Sequence, residues 1–177
     1  MKQKVIESLQ SIQPPWLHYC VADVSPTTNT AFKLRGQYIK KFITLRLRGS
    51  KMRTISGLFN EFGATLQFPY YFGENWNAFD ECVKDLSWLY TSGFVLIILD
   101  ADQILIEAAD SDGQMQSLLT ILNSAAKEWS IPVEKGVAWN RPSKPFHVIF
   151  QVTSDKADNF HSRLNKKGVD ISELSLV

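Results

Sequence analysis

Two apolar runs constrain what this chain can fold into more than anything else in it. Phe94-Val95-Leu96-Ile97-Ile98-Leu99 carries no polar side chain, and Phe146 to Val152 is nearly as apolar. Six residues fall far short of the roughly twenty a membrane helix needs. β-branched and aromatic side chains bounded by Gly93 and Asp100 predict a central strand covered on both faces, the habit of parallel sheets. A third strand is legible at 42–47, where Ile43, Leu45 and Leu47 alternate with Thr44, Arg46 and Arg48. Between these runs the apolar spacing turns helical. Ile55, Leu58, Phe59, Phe62 and Leu66 share one face, then Trp76, Phe79, Val83 and Leu86, then Met115, Leu118, Leu119, Leu122 and Ala126. Strands alternating with helices predict an α/β fold: a small parallel sheet with three core strands, packed by crossover helices over 54–66, 76–90 and 112–129.

The flanks read as additions to that core. Val5, Ile6, Leu9 and Ile12 predict an amphipathic helix over 2–12, stopped by Pro14 and Pro15. Trp16 to Val24 reads as a strand, Pro26 to Asn29 as a loop, and Phe32 to Ile39 as an extended or hairpin segment around Gly36. Three prolines and Gly136 make 132–145 a loop. A helix over 155–167 carries Ala157, Phe160 and Leu164 inward, capped by Gly168, and 169–177 is a tail with a final strand. The expectation is a single domain over 1–177, with a core at about 41–152, an N-terminal extension 1–40 and a C-terminal extension 153–177. A chain of 177 residues buries roughly 70 % of its surface, enough for a core without staples. Cys20 and Cys82 are read as buried small hydrophobes. The N-terminus has lysines but no apolar stretch, so no signal peptide and a cytoplasmic location are expected.

Charge is distributed unevenly. The formal net charge is +1. Lys33, Arg35, Lys40, Lys41, Arg46, Arg48, Lys51 and Arg53 nevertheless form an acid-free block, while 74–112 holds nine carboxylates against Lys84 alone. Within the acidic stretch, Glu81 and Asp85 stand one helical turn apart, with Asn77 a turn earlier, an exposed ridge that a basic partner would neutralise. Just before it, Tyr70, Tyr71 and Phe72 cannot all point inward from one short loop. Tyr71 is expected outside, where interface hot spots favour tyrosine. Arg46 and Arg48 project from one strand face, so the basic block offers a second reading, a nucleic-acid or regulatory binding module using 33–53. A hydrolase finds little support. His18, His147 and His161 stand at no diagnostic spacing from a nucleophile or carboxylate, and there is no metal-ligand or phosphate-loop motif. No cofactor and no metal are expected.

The segment Phe68-Pro69-Tyr70-Tyr71-Phe72-Gly73-Glu74-Asn75-Trp76-Asn77-Ala78-Phe79-Asp80-Glu81-Cys82 resembles the signature of the barstar family of ribonuclease inhibitors. The likeness extends from about Lys41 to Gln151, with 132–145 as an enlarged loop. The resemblance implies a small α/β fold and a non-enzymatic inhibitor or immunity protein that plugs the active-site cleft of a basic ribonuclease or related toxin. In that family an acidic helix and the loop before it mimic substrate phosphates. Tyr71 takes the place of the loop aromatic that stacks on the enzyme, and Gly73 and Asn75 hold the junction into the helix. Asn77 stands where the family has its first helical acid. Glu81 stands at the dominant central acid, and Asp80 at a position usually held by a large aromatic. Together with Asp85 these are the expected partner-binding residues. The implied partner is a basic toxin or ribonuclease, with no small-molecule substrate and no membrane, and nucleic acid is not an expected ligand. Glu128, outside the signature helix, is expected to be neutral toward the partner.

Overall fold

A computed structural model describes residues 3–39, 41–134, 136, 140–165 and 168–175. In chain order the elements are α1 (Gln3–Gln10), β1 (Leu17–Val21), α2 (Val24–Lys33), β2 (Ile43–Arg48), α3 (Ile55–Leu66), α4 (Trp76–Asp85), β3 (Phe94–Leu99), α5 (Ser111–Trp129), β4 (Phe146–Val152), α6 (Ala157–Asn165) and β5 (Ile171–Glu173). The five strands form one parallel sheet in the order β2-β3-β4-β1-β5. The three apolar segments anticipated as core strands are adjacent in it. The sheet runs past them, because the N-terminal region supplies β1 and the C-terminal region β5.

Register explains the two-sided core. Leu45, Leu96, Val148, Leu17 and Ile171 lie in one row across the sheet. They face α3 to α6 through Leu58, Phe62, Phe79, Val83, Leu118, Leu122, Phe160 and Leu164. The next row puts Ile97 and Ile149 on the opposite face, against Val5 and Leu9 of α1 and Ala31 of α2. Alternation with period two thus sends successive residues into two separate cores.

Two local expectations fail for identifiable reasons. Residues 26–39 are not a loop and a hairpin. Val24–Lys33 is α-helical, and a π-helical turn over Leu34–Tyr38 continues it. Pro26 sits in the first turn, where its missing N–H would have had no helical partner. The helix expected to reach Tyr90 ends at Asp85, because Leu86 turns left-handed at φ 41° and donates its N–H to the Cys82 carbonyl. Leu86 is buried all the same, as a cap and not as part of the helical stripe. In the loop 132–145, Val133 and Arg141 form an antiparallel bridge, while Lys135 and 137–139 lie outside the described residues.

The seam between β1, β4 and β5 is polar inside. His18 and His147 are buried, and their rings stack 5.2 Å apart. The Ser11 carbonyl can only accept, so His147 donates from Nε2 at 2.9 Å. Its Nδ1 is then the acceptor for His18 Nε2 at 3.0 Å. That leaves His18 Nδ1 to accept from the Ser172 hydroxyl at 2.8 Å. The neutral chain of groups is fully satisfied; a proton added at His147 Nδ1 would meet the His18 Nε2–H, whereas one added at His18 Nδ1 would need the Ser172 hydroxyl to turn and accept it. Burial, reinforced by the neighbouring His147, pushes His18 down from 6.5 to about 3. Burial also lowers His147, against the raising effect of its backbone contacts with Ser11 and Trp16.

Candidate functional site

The loop between α3 and α4 sorts its aromatics by packing. Phe68 meets Phe72, Phe79 and Trp88 edge-on at ring distances of 4.9, 6.1 and 6.3 Å, and Phe72 also meets Phe59 at 5.9 Å. With 68 and 72 held inward, the residues between them are driven out. Tyr71 is 67 % exposed and Tyr70 wholly so. Tyr71 is outside as the sequence predicts, and Tyr70 joins it, their rings 5.6 Å apart.

The turn into α4 is set by three neighbours. Glu74 takes φ 47°, a left-handed conformation uncommon outside glycine. Asn75 then caps the helix, its Oδ1 accepting from the Ala78 N–H at 3.0 Å, while its Nδ2 donates to the Gly73 carbonyl at 3.1 Å. Trp76 is half-buried, 5.1 Å edge-on to Phe59, and donates from Nε1 to Gln114 Oε1 at 2.7 Å. Below it Phe79 and Val83 are completely buried. This anchored inner stripe fixes the outer one. Asn77, Glu81 and Asp85 are all exposed on successive turns.

Asp80 behaves differently from its ridge neighbours. It is half-buried and paired with Lys84 at 2.7 Å, so its charge is compensated locally. Cys82 is buried, and its thiol is pushed up by burial first, then by Asp85 and Glu81. A thiol so placed is a poor nucleophile.

A groove of about 680 Å³ runs along the outer side of α4, lined by Glu81 and Asp85 on one side and Glu128, Trp129 and Arg141 on the other. Glu128 shares this groove with Glu81, because α5 packs parallel to α4, Gln114 meeting Trp76 at one end and Trp129 meeting Val83 at the other, which brings the last turns of both helices together. Arg141 lies 4.0 Å over the Trp129 ring and donates to the Glu128 and Trp129 carbonyls. At the rim stands Tyr90, fully exposed. Neither Arg141 nor Tyr90 carries a sequence signal: one sits in a proline-rich loop, the other just beyond the helix stop.

Among the described residues, part of the basic block is neutralised by local pairing. Arg48 is bound to the buried Glu61 by two side-chain contacts of 2.9 and 2.7 Å, and its backbone N–H donates to the same carboxylate. Burial alone would raise Glu61, yet the Arg48 contacts hold it below the ordinary value. Arg53 pairs with Glu107 at 2.7 Å. Arg46 leans over Phe32, 4.8 Å from its ring. Lys40 lies outside the described residues. Among the described residues there is no group of three or more metal-ligating side chains, and no helix is long and apolar enough to cross a membrane.

Fold and site together define a class: a parallel α/β protein that presents an acidic helix beside an exposed aromatic loop. Residues 42–151 match the family described as Barstar (barnase inhibitor), and the chain belongs to that family. That span covers β2 through β4 and contains the whole aromatic loop and α4. Among solved structures the chain is similar to Cdc6p from Pyrobaculum aerophilum, at 15 % identity and a TM-score of 0.55 over 89 % of this chain. Aligned, it spans 38 % of that protein's length, and the likeness is one of fold alone. A structure of Drosophila ORC bound to GC-rich DNA and Cdc6 aligns at 11 % identity and a TM-score of 0.46, over 98 % of this chain and 56 % of that one. No match was found among curated proteins.

Proposed function

We propose that this protein is a non-enzymatic inhibitor that seats α4 and the Tyr70–Tyr71 loop in the active-site cleft of a basic ribonuclease or related toxin. The observation that carries the reading is the ridge itself. Asn77, Glu81 and Asp85 are exposed on one side of a helix whose other side is locked into the core, inside the span that matches the inhibitor family. A cationic cleft that binds phosphate would accept a fixed carboxylate in its place. Tyr71 at the edge of the ridge adds aromatic area of the kind that anchors interfaces. Asn77 brings no charge and Asp80 is occupied by Lys84, so Glu81 and Asp85 carry the burden.

In open parallel α/β sheets ligands commonly sit at the carboxyl ends of the strands. The turn from β1 into α2 contains Ala22 and Asp23, without the glycines or lysine of a phosphate cradle. Gln151 closes that end, donating to the Ala22 carbonyl at 2.6 Å and accepting from the Asp100 N–H at 3.0 Å. The pairing of Arg48 and Arg53 with carboxylates speaks against the nucleic-acid alternative through 33–53.

The test is calorimetric titration of the full chain into barnase and a panel of basic secreted ribonucleases, with activity read in parallel. The expected result is a one-to-one complex that abolishes activity, weakened at least about 30-fold by Glu81→Ala, about 2 kcal/mol. Asp158→Ala, at an exposed position of α6, is the control and should bind as wild type. A target inhibited equally well by the Glu81→Ala protein would move the interface off α4 and defeat the proposal.

A further inference from the structure

At the end of the sheet where β2, β3 and β4 begin, the segments leading into the three strands enclose a pocket of about 620 Å³ lined by Lys41, Tyr90, Ser92, Ser143 and Lys144. No carboxylate lines it. Several cations of the chain are matched with acids: Arg48 with Glu61, Arg53 with Glu107, Lys84 with Asp80, and Arg163 with Asp112. The cations around this pocket are not. Lys144 is half-buried, and its ammonium lies 5.6 Å over the Trp129 ring. Among the described residues no carboxylate oxygen lies within ion-pair distance of Lys41, Arg141 or Lys144. Burial pushes Lys144 below its ordinary value, and the Arg141 guanidinium on the same tryptophan pushes it further in the same direction.

Arg141 and Lys144, two half-buried cations on one tryptophan without a counter-ion, raise each other's energy, and an anion held between Lys144 and the exposed Lys41 would relieve that. The Ser92 and Ser143 hydroxyls can donate to such an anion. Tyr90 supplies a fully exposed ring at the pocket edge, a platform on which a planar ring can stack. Exposed carboxylates of a protein partner would satisfy the lysines but leave Tyr90 without a role. A phosphate joined to a flat ring satisfies both.

We infer that this pocket is a binding site for a phosphate monoester carried on a planar ring, the chemical class of a nucleoside monophosphate. The phosphate sits between Lys41 and Lys144, with the serine hydroxyls donating to its oxygens, and the base stacks on Tyr90. The site adjoins the groove along α4, since Tyr90 and Lys144 line both. A bound nucleotide would therefore border the surface that presents Glu81.

The experiment is a titration of the full chain, followed by amide shifts, with inorganic phosphate, AMP, GMP and acetate at constant ionic strength. Saturable shifts at Ser92, Ser143 and Lys144 are expected, with a nucleotide Kd below about 1 mM and about fivefold tighter than phosphate alone. Lys144→Met, which keeps the aliphatic stem, should abolish saturation. Lys41→Met, at an exposed position that cannot threaten folding, should weaken it in the same sense. Tyr90→Ala should bring the nucleotides down to the level of phosphate. Linear, non-saturating shifts up to about 20 mM, equal saturation by acetate, or binding unmoved by both lysine variants would overturn the site. Equal affinity for phosphate and both nucleotides would overturn the assignment of the ring.

Discussion

Acid should loosen this protein through His18 and His147, at pH values where carboxylates are still ionised. An unfolded histidine titrates near 6.5, whereas His18 in the folded chain is held at about 3. The native state thus binds fewer protons than the unfolded chain. Stability is fully present above pH 6.5 and is lost progressively below it, until the folded value is reached. At pH 5 the loss from His18 alone is about 2 kcal/mol relative to pH 8. His147 is displaced in the same direction and adds to it. Glu61, held low by Arg48, contributes a further loss only when pH falls below the ordinary glutamate range. Urea unfolding at pH 8, 6.5 and 5, with a constant m-value, measures the effect. His18→Gln isolates it, because glutamine can still donate toward His147 and accept from Ser172 without binding a proton. Its loss between pH 8 and 5 should be smaller than that of wild type by about 2 kcal/mol. A wild-type free energy at pH 5 within about 0.5 kcal/mol of its pH 8 value would refute the burial argument.

Other expectations concern the site and its support. Phe79→Ala opens a cavity beneath α4 where Phe59, Phe62 and Trp76 converge, and should cost about 3–5 kcal/mol in chemical denaturation. Asn75→Ala removes the cap of the same helix and should cost about 1 kcal/mol, visible as a lower midpoint with unchanged m-value. Nucleic acid should bind weakly. In fluorescence anisotropy at about 0.15 M salt, sub-micromolar affinity for single-stranded RNA or DNA that falls steeply with added salt would revive the reading through 33–53.

Much of the fold was legible because apolar content and period coincide in it. Phe94–Leu99 and Phe146–Val152 are buried almost without exception, and the alternation at Ile43–Arg48 is a strand, although Thr44 on its expected solvent face is buried. The ridge was legible too, since Phe79 and Val83 fix the helix phase and leave Asn77 and Glu81 outside. What escaped depends on contacts distant in sequence. α2 is rich in threonine and contains Pro26, so its helicity rests on covering β2 and β4 more than on propensity. The pairing of Asp80 with Lys84 follows from their spacing of four residues on a helix. Glu128, Arg141 and Tyr90 become neighbours of the ridge only once α5 has packed on α4 and the following loop has turned back across Trp129.

The place of β1 in the sheet has a consequence for biosynthesis. This strand pairs with β4 and β5 alone, Leu17 standing opposite Val148 on one side and Ile171 on the other. On a ribosome adding about 5–20 residues per second, roughly 130 residues separate its emergence from that of its first partner. For the order of ten seconds, the apolar Leu17-His18-Tyr19-Cys20-Val21 segment has no ladder to join. Meanwhile β2 and β3 can already pair, and β4 completes them before β1 inserts beside it. A nascent chain stalled before Phe146 should therefore hold its N-terminal strand open to chaperones and proteases, and closure should come only with the arrival of β4.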